Sequence, residues 1–134
     1  MNLFGTIRAP RELVFGSGQR HSLGRIVGKL GRRALVVSDA RLTADPDFVA
    51  MMADLERQGI AVAVDGSVLP DVPVELAQAS ADAARAFGPD LVIGIGGGSC
   101  LDMAKCVAVL LAHGGRPQDY YGEHKVPGPV LPLI

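Results

Sequence analysis

Tryptophan is absent, and tyrosine and phenylalanine number only two and four in 134 residues. So few rings exclude the stacking platforms on which single-stranded nucleic acids are held. An excess of one charge is lacking too: 13 basic residues face 14 acidic ones, a formal charge of −1. That balance exerts no pull on a polynucleotide or an anionic membrane, so neither is expected as a partner. No apolar run approaches the ~20 residues that a membrane span requires. Residues 1–10 have no basic start followed by a long apolar stretch, so no signal peptide is read there. Cysteine is confined to Cys100 and Cys106. Their spacing in one expected helix sends them to different faces, which disfavours a disulfide or a metal pair. A reducing, cytoplasmic setting is the expectation. Low-complexity tracts and true repeats are missing as well.

What the chain does have is 49% apolar residues, distributed in alternating strand and helix patterns. Its length suits one domain, 1–134, with a sizeable buried core. Residues 2–7 and 11–15 read as extended pieces around Ala9-Pro10, an N-terminal edge hairpin. Ser17 is placed to cap a helix whose buried stripe is Leu23, Ile26, Val27 and Leu30, with Gly31 as its stop. Residues 34–37 form a continuous apolar run that suits a strand covered on both faces. A second helix is expected over 45–58, capped by Asp45 with Pro46 in the first turn, and with Phe48, Met52 and Leu55 inward. Strands at 60–64 and 91–95 bracket a helix over 73–87, and a fourth helix runs over 99–112. Residues 113–129 read as an ordered loop in which Tyr120 and Tyr121 pack over the domain, and 130–134 as one more strand. This alternation predicts an α/β fold, a parallel sheet flanked by helices.

The most informative stretch is Gly94-Ile95-Gly96-Gly97-Gly98-Ser99-Cys100-Leu101-Asp102-Met103-Ala104-Lys105, between a buried strand and a helix. Glycines there let the backbone approach a bulky anion, because no Cβ stands in the way. The following helix start offers free N–H groups and partial positive charge. Together they make a phosphate site, to which the Ser99 hydroxyl adds a donor. The ordinary dinucleotide fingerprint, G-x-G-x-x-G after the first strand, is not matched: Ser99 replaces the third glycine, and the loop follows the third covered strand.

The string GGGSxxDxAK, here Gly96 to Lys105, resembles the signature of iron-containing alcohol dehydrogenases. Phe15-Gly16-Ser17-Gly18 is similar to the family's early FGxG turn. Val37-Ser38-Asp39 is similar to its strand ending in Asp, and Leu69-Pro70-Asp71-Val72-Pro73 to its PxP segment. Pro127-Gly128-Pro129 with Leu131-Pro132-Leu133-Ile134 resembles the stretch before its threonine- and glycine-rich motif. The resemblance covers essentially the whole chain. It implies a Rossmann-like, NAD-binding domain followed, beyond this chain, by an all-helical domain whose Asp and three His bind Fe(II) or Zn(II). Gly97, Gly98 and Ser99 would hold the pyrophosphate and Gly96 would shape the turn. The family's reaction would be hydride transfer between a small alcohol and its aldehyde or ketone, with the substrate between the domains. On that reading the chain is the N-terminal part of the enzyme and is inactive alone. Family dimers form through N-terminal strands, so Leu3 to Ile7 is the expected contact of a homo-oligomer.

Single residues carry two readings each. Asp39 sits at the carboxyl end of a strand, where ligands bind in parallel sheets. Its carboxylate can accept both ribose hydroxyls of NAD and would repel the extra phosphate of NADP; alternatively it caps the next turn. Ser99 and Asp102 fit an S-x-x-D capping box, and Asp102 can instead face the nicotinamide side. Lys105 can pair with Asp102 at i, i+3 or approach the site. Asp71 stands where many family members carry Asn, and reads as a solvated loop residue. His21, His113 and His124 show no metal-helix pairing. Candidate cofactor contacts are therefore Asp39, Gly96, Gly97, Gly98, Ser99 and Asp102, with no catalytic or metal residue in the chain. The competing readings are a non-catalytic nucleotide-binding module, a maleylacetate reductase, and a relative of dehydroquinate synthase. Asp39 and Asp102 argue against the reductase, and GGGSxxDxAK against the synthase.

Overall fold

The computed structural model describes residues 9–134. Its centre is a parallel sheet of β1 (Arg33–Val37), β2 (Ala61–Asp65) and β3 (Leu91–Gly94) in the order β2-β1-β3. Residues 132–134 extend it beyond β3: Val92 N–H donates to Pro132 O at 2.9 Å, Gly94 N–H to Ile134 O at 2.8 Å, and Ile134 N–H to Val92 O at 3.1 Å. Only a single parallel bridge, Val92 to Leu133, is formed there, so the expected last strand is a short edge.

Period-two alternation in β1 explains the two cores. Ala34 and Val36 face one side, where α3 (Pro46–Arg57) supplies Phe48, Met52 and Leu55, and α1 (Leu23–Val27) supplies Val27. Leu35 and Val37 face the other side, against Met103, Ala104 and Val107 of α5 (Gly98–His113) and Ala81 and Ala84 of α4 (Val74–Arg85). All four apolar positions of β1 are buried, as a strand covered on both faces requires. Asp45 caps α3 by accepting the Asp47 N–H at 2.8 Å, with Pro46 in the first turn.

Three expectations near the N-terminus are corrected. The first helix is shorter than its apolar stripe: a 3-10 turn, Gln19–Ser22, leads into α1, which ends at Val27 and leaves Leu30 40% exposed. Its cap position is Gly18, at φ 76°, not Ser17, and no side chain caps it. Residues 11–15 form no strand, and Leu13 and Phe15 lie open to solvent. The other arm expected of the hairpin, residues 2–7, lies outside the described residues. In the loop after α5, Tyr120 packs inward and donates its hydroxyl to Gly114 O at 2.8 Å. Tyr121, expected to pack beside it, is 61% exposed.

Candidate dinucleotide site at the strand ends

The chain leaves β1 toward α3 on one face of the sheet and leaves β3 toward α5 on the other. A crevice opens between neighbouring strands wherever their outgoing connections diverge in this way. Asp39 and the glycine turn stand on its two sides.

The turn is tied to β1 from beneath. Ile95 N–H donates to Val37 O at 3.0 Å, and the Ser38 hydroxyl donates to Ile95 O at 2.7 Å. Ser38 has 0% exposure, so its hydroxyl is removed from solvent. Gly96 has φ 143°, and a Cβ there would lie 2.5 Å from Cys100 Sγ. Only glycine fits that position without strain. Gly97 and Gly98 differ in kind. A Cβ on either would meet nothing within 4 Å. Their faces are open to the crevice, so glycine is not required there by the protein's own packing.

Helix α5 starts at Gly98, with Gly97 in extended geometry at the cap position and no side-chain cap. The first bond back along this turn is Leu101 N–H to Gly97 O at 3.2 Å. The N–H groups of Gly98, Ser99 and Cys100 precede it and have no intrahelical acceptor. Open Cα faces and unpaired amides at the head of a 16-residue helix are what a phosphate group needs. These residues therefore fit the diphosphate of a dinucleotide.

The expected capping box of Ser99 and Asp102 is not formed. Ser99 lies within the first turn rather than at the cap, so its hydroxyl is not in capping position. Asp102 lies on the exposed side of α5 and pairs with Lys105 Nζ at 3.0 Å, the i, i+3 pairing read from the sequence.

Asp39 takes up the capping reading. Oδ1 accepts the Leu42 N–H at 2.9 Å and caps the short helix α2 (Ala40–Thr43). Oδ2 lies 3.9 Å from Cys100 Sγ and 3.8 Å from Arg41 Nη2. The carboxylate thus joins the end of β1 to the head of α5, 61 residues later. Burial and then the Asp39 carboxylate push the Cys100 thiol above its ordinary value. Ser38, Arg41 and Cys100 were not singled out from the sequence as part of this constellation. A polar residue immediately after a wholly apolar strand was the one available signal for Ser38.

Asp71 is exposed in a loop, with φ 61° at Asp71 and 44° at Val72. His113 Nε2 lies 3.3 Å from Gly128 O, while His21 and His124 are exposed. Among the described residues, no three His, Cys, Asp or Glu side chains gather to hold a metal ion.

Known proteins carry the same architecture. The NAD-dependent methanol dehydrogenase of Bacillus methanolicus is 30% identical over 126 residues, covering 93% of this chain and 33% of that protein. The NADPH-dependent butanol dehydrogenase of Clostridium saccharobutylicum is 30% identical over 118 residues, covering 88% and 29%. A crystal structure of an iron-containing alcohol dehydrogenase superposes with a TM-score of 0.86 at 28% identity, over 98% of this chain and 37% of that one. The chain spans about a third of the length of the relatives it matches. The family model described as iron-containing alcohol dehydrogenase matches residues 10–134, taking in the strand ends, the glycine turn and α5. Crevice, turn and matched length agree, and the chain belongs to the iron-containing alcohol dehydrogenase family.

Proposed function

We propose that this chain is the dinucleotide-binding part of an NAD(H)-dependent alcohol dehydrogenase that interconverts a small alcohol and its aldehyde or ketone. The observation that carries this reading is the open turn at Gly97-Gly98, at the head of α5 and beside Asp39. The amides of Gly98 and Ser99, with the open face of Gly97, hold the diphosphate, while Gly96 sets the turn. Asp39 accepts a ribose hydroxyl through Oδ2, the oxygen not used in capping α2. Asp102, one turn into α5, serves the nicotinamide side, with Lys105 balancing its charge. The nicotinamide supplies the hydride chemistry when bound. These residues fix its position and orientation, and thereby reduce the entropic part of the barrier.

Relatives named as NAD-dependent and NADPH-dependent are equally identical to this chain, at 30%. Likeness alone does not choose between the cofactors. The Asp39 carboxylate favours NAD(H), because it accepts the 2′-hydroxyl and opposes a 2′-phosphate. Fe(II) or Zn(II), which the described residues do not gather to hold, would supply polarisation of the substrate oxygen. No helix among the described residues is long and apolar enough to cross a membrane. A cytoplasmic homo-oligomer, joined through residues 3–7 outside the described range, completes the reading.

The test is titration of the protein with NADH, followed by nicotinamide fluorescence. Saturable binding that competes with ADP is expected. Absence of binding to both NADH and ADP would remove the basis of the assignment.

A further inference from the structure

Arg41 has no part in the core or the glycine turn, yet its guanidinium lies beside Asp39. It follows Asp39 by two residues, in α2. Its side chain is 86% exposed, and Nη2 lies 3.8 Å from Asp39 Oδ2. At that distance and exposure the pair is weak and readily exchanged for another anion. Other cations nearby in sequence or function are engaged: Arg20 with Asp47 at 2.6 Å, and Lys105 with Asp102 at 3.0 Å.

The acidic residue after a nucleotide-binding strand accepts the ribose 2′-hydroxyl, whereas an arginine beside it accommodates a 2′-phosphate. Here both groups occur together, on one turn. Asp39 Oδ1 accepts the Leu42 N–H, Oδ2 lies 3.9 Å from the Cys100 thiol, and Arg41 lies beside Oδ2 and offsets its charge. With a 2′-hydroxyl in place, Arg41 stays on Asp39. With a 2′-phosphate in place, the guanidinium can move onto the phosphate and form the paired N–H to oxygen bonds that its planar fork favours.

We propose that Arg41 is a specificity-determining residue that lets this site take NADP(H) in addition to NAD(H). The proposal rests on the dinucleotide-binding reading above. Asp39 still opposes the phosphate, so NADH remains the tighter ligand, but the gap between the two is narrow.

The experiment is to titrate the protein with NADH and NADPH in one low-salt buffer, as wild type, Arg41→Ala and Arg41→Lys. Arg41 is exposed, so neither variant is expected to unfold. In the wild type, NADPH should bind within about tenfold of NADH. Arg41→Ala should weaken NADPH by about tenfold, the scale of one charge-assisted hydrogen bond, and change NADH by less than about threefold. Arg41→Lys, which keeps the charge and loses the fork, should fall between. Added salt should weaken NADPH more than NADH in the wild type and equally in Arg41→Ala. An NADPH-to-NADH ratio unchanged by Arg41→Ala would overturn the proposal while leaving the dinucleotide site intact. Failure of the wild type to bind either dinucleotide would overturn both.

Discussion

The hydroxyl of Ser38, a fully buried residue, reaches Ile95 O at 2.7 Å and joins residues 57 apart in the chain. Ser38 is the residue before Asp39, and Ile95 is the residue before Gly96. This one hydrogen bond therefore sets the spacing between Asp39 and the glycine turn. Backbone bonds reinforce it: Ser38 N–H donates to Asp65 O at 2.8 Å and Ile95 N–H to Val37 O at 3.0 Å.

Ser38→Ala should lower the unfolding free energy by about 1–3 kcal/mol, because Ile95 O loses its buried donor. Urea unfolding of the variant beside the wild type measures this. NADH affinity should also fall, since both sides of the crevice lose their common reference. An unchanged unfolding midpoint would show that the bond contributes nothing.

Gly96→Ala and Gly98→Ala should separate packing from ligand contact. Gly96→Ala places a Cβ against Cys100 Sγ in a left-handed backbone, and should cost about 1–3 kcal/mol. Gly98→Ala meets open space in the protein and should leave stability equal or raise it by up to ~1 kcal/mol. Its methyl group occupies the diphosphate approach, so NADH affinity should fall by at least about tenfold. Thermal melts and NADH titration of both variants check the contrast.

Asp90→Ala provides a control at the other end of the sheet. The Asp90 carboxylate accepts the Arg32 N–H at 2.9 Å and the Arg33 N–H at 2.8 Å, holding the start of β1 beside the start of β3. Loss of these bonds should cost about 1–3 kcal/mol, with NADH binding to the folded protein unaltered. A matching loss of NADH affinity would mean that the two ends of the sheet are coupled.

Cys100 makes stability depend on pH in the alkaline range. Its thiol is raised above the ordinary value of 9.0 by burial and by Asp39. The unfolded chain therefore releases this proton before the folded chain does. The thiol's contribution is fully present below 9.0 and is lost as pH rises from there through the folded value. Stability measured from pH 8 upward should decline less steeply in Cys100→Ala than in the wild type. Identical slopes would show that the thiol is not linked to folding.

The order of strands and helices was legible in the sequence because it is written in local terms. Apolar runs at 34–37 and 91–94 and periodic stripes such as Phe48, Met52 and Leu55 each specify burial within a few residues. The glycine turn was legible for the same reason, since a missing Cβ is a property of the residue itself. What lay beyond local reading depended on which distant groups meet. Leu30 continues an apolar stripe yet is exposed, because α1 ends at Val27 and carries it away from the sheet. Ser99 matches a capping pattern, but the backbone enters the helix earlier, at Gly97, so its hydroxyl is not used. The meeting of Asp39 with Cys100 and of Ser38 with Ile95 spans 61 and 57 residues, and arises only when β1 and β3 lie side by side. Local sequence was therefore enough for the class of fold and for the position of the glycine turn. Which oxygen of Asp39 caps a helix and which meets Cys100 Sγ follows from long-range packing that no window of sequence contains.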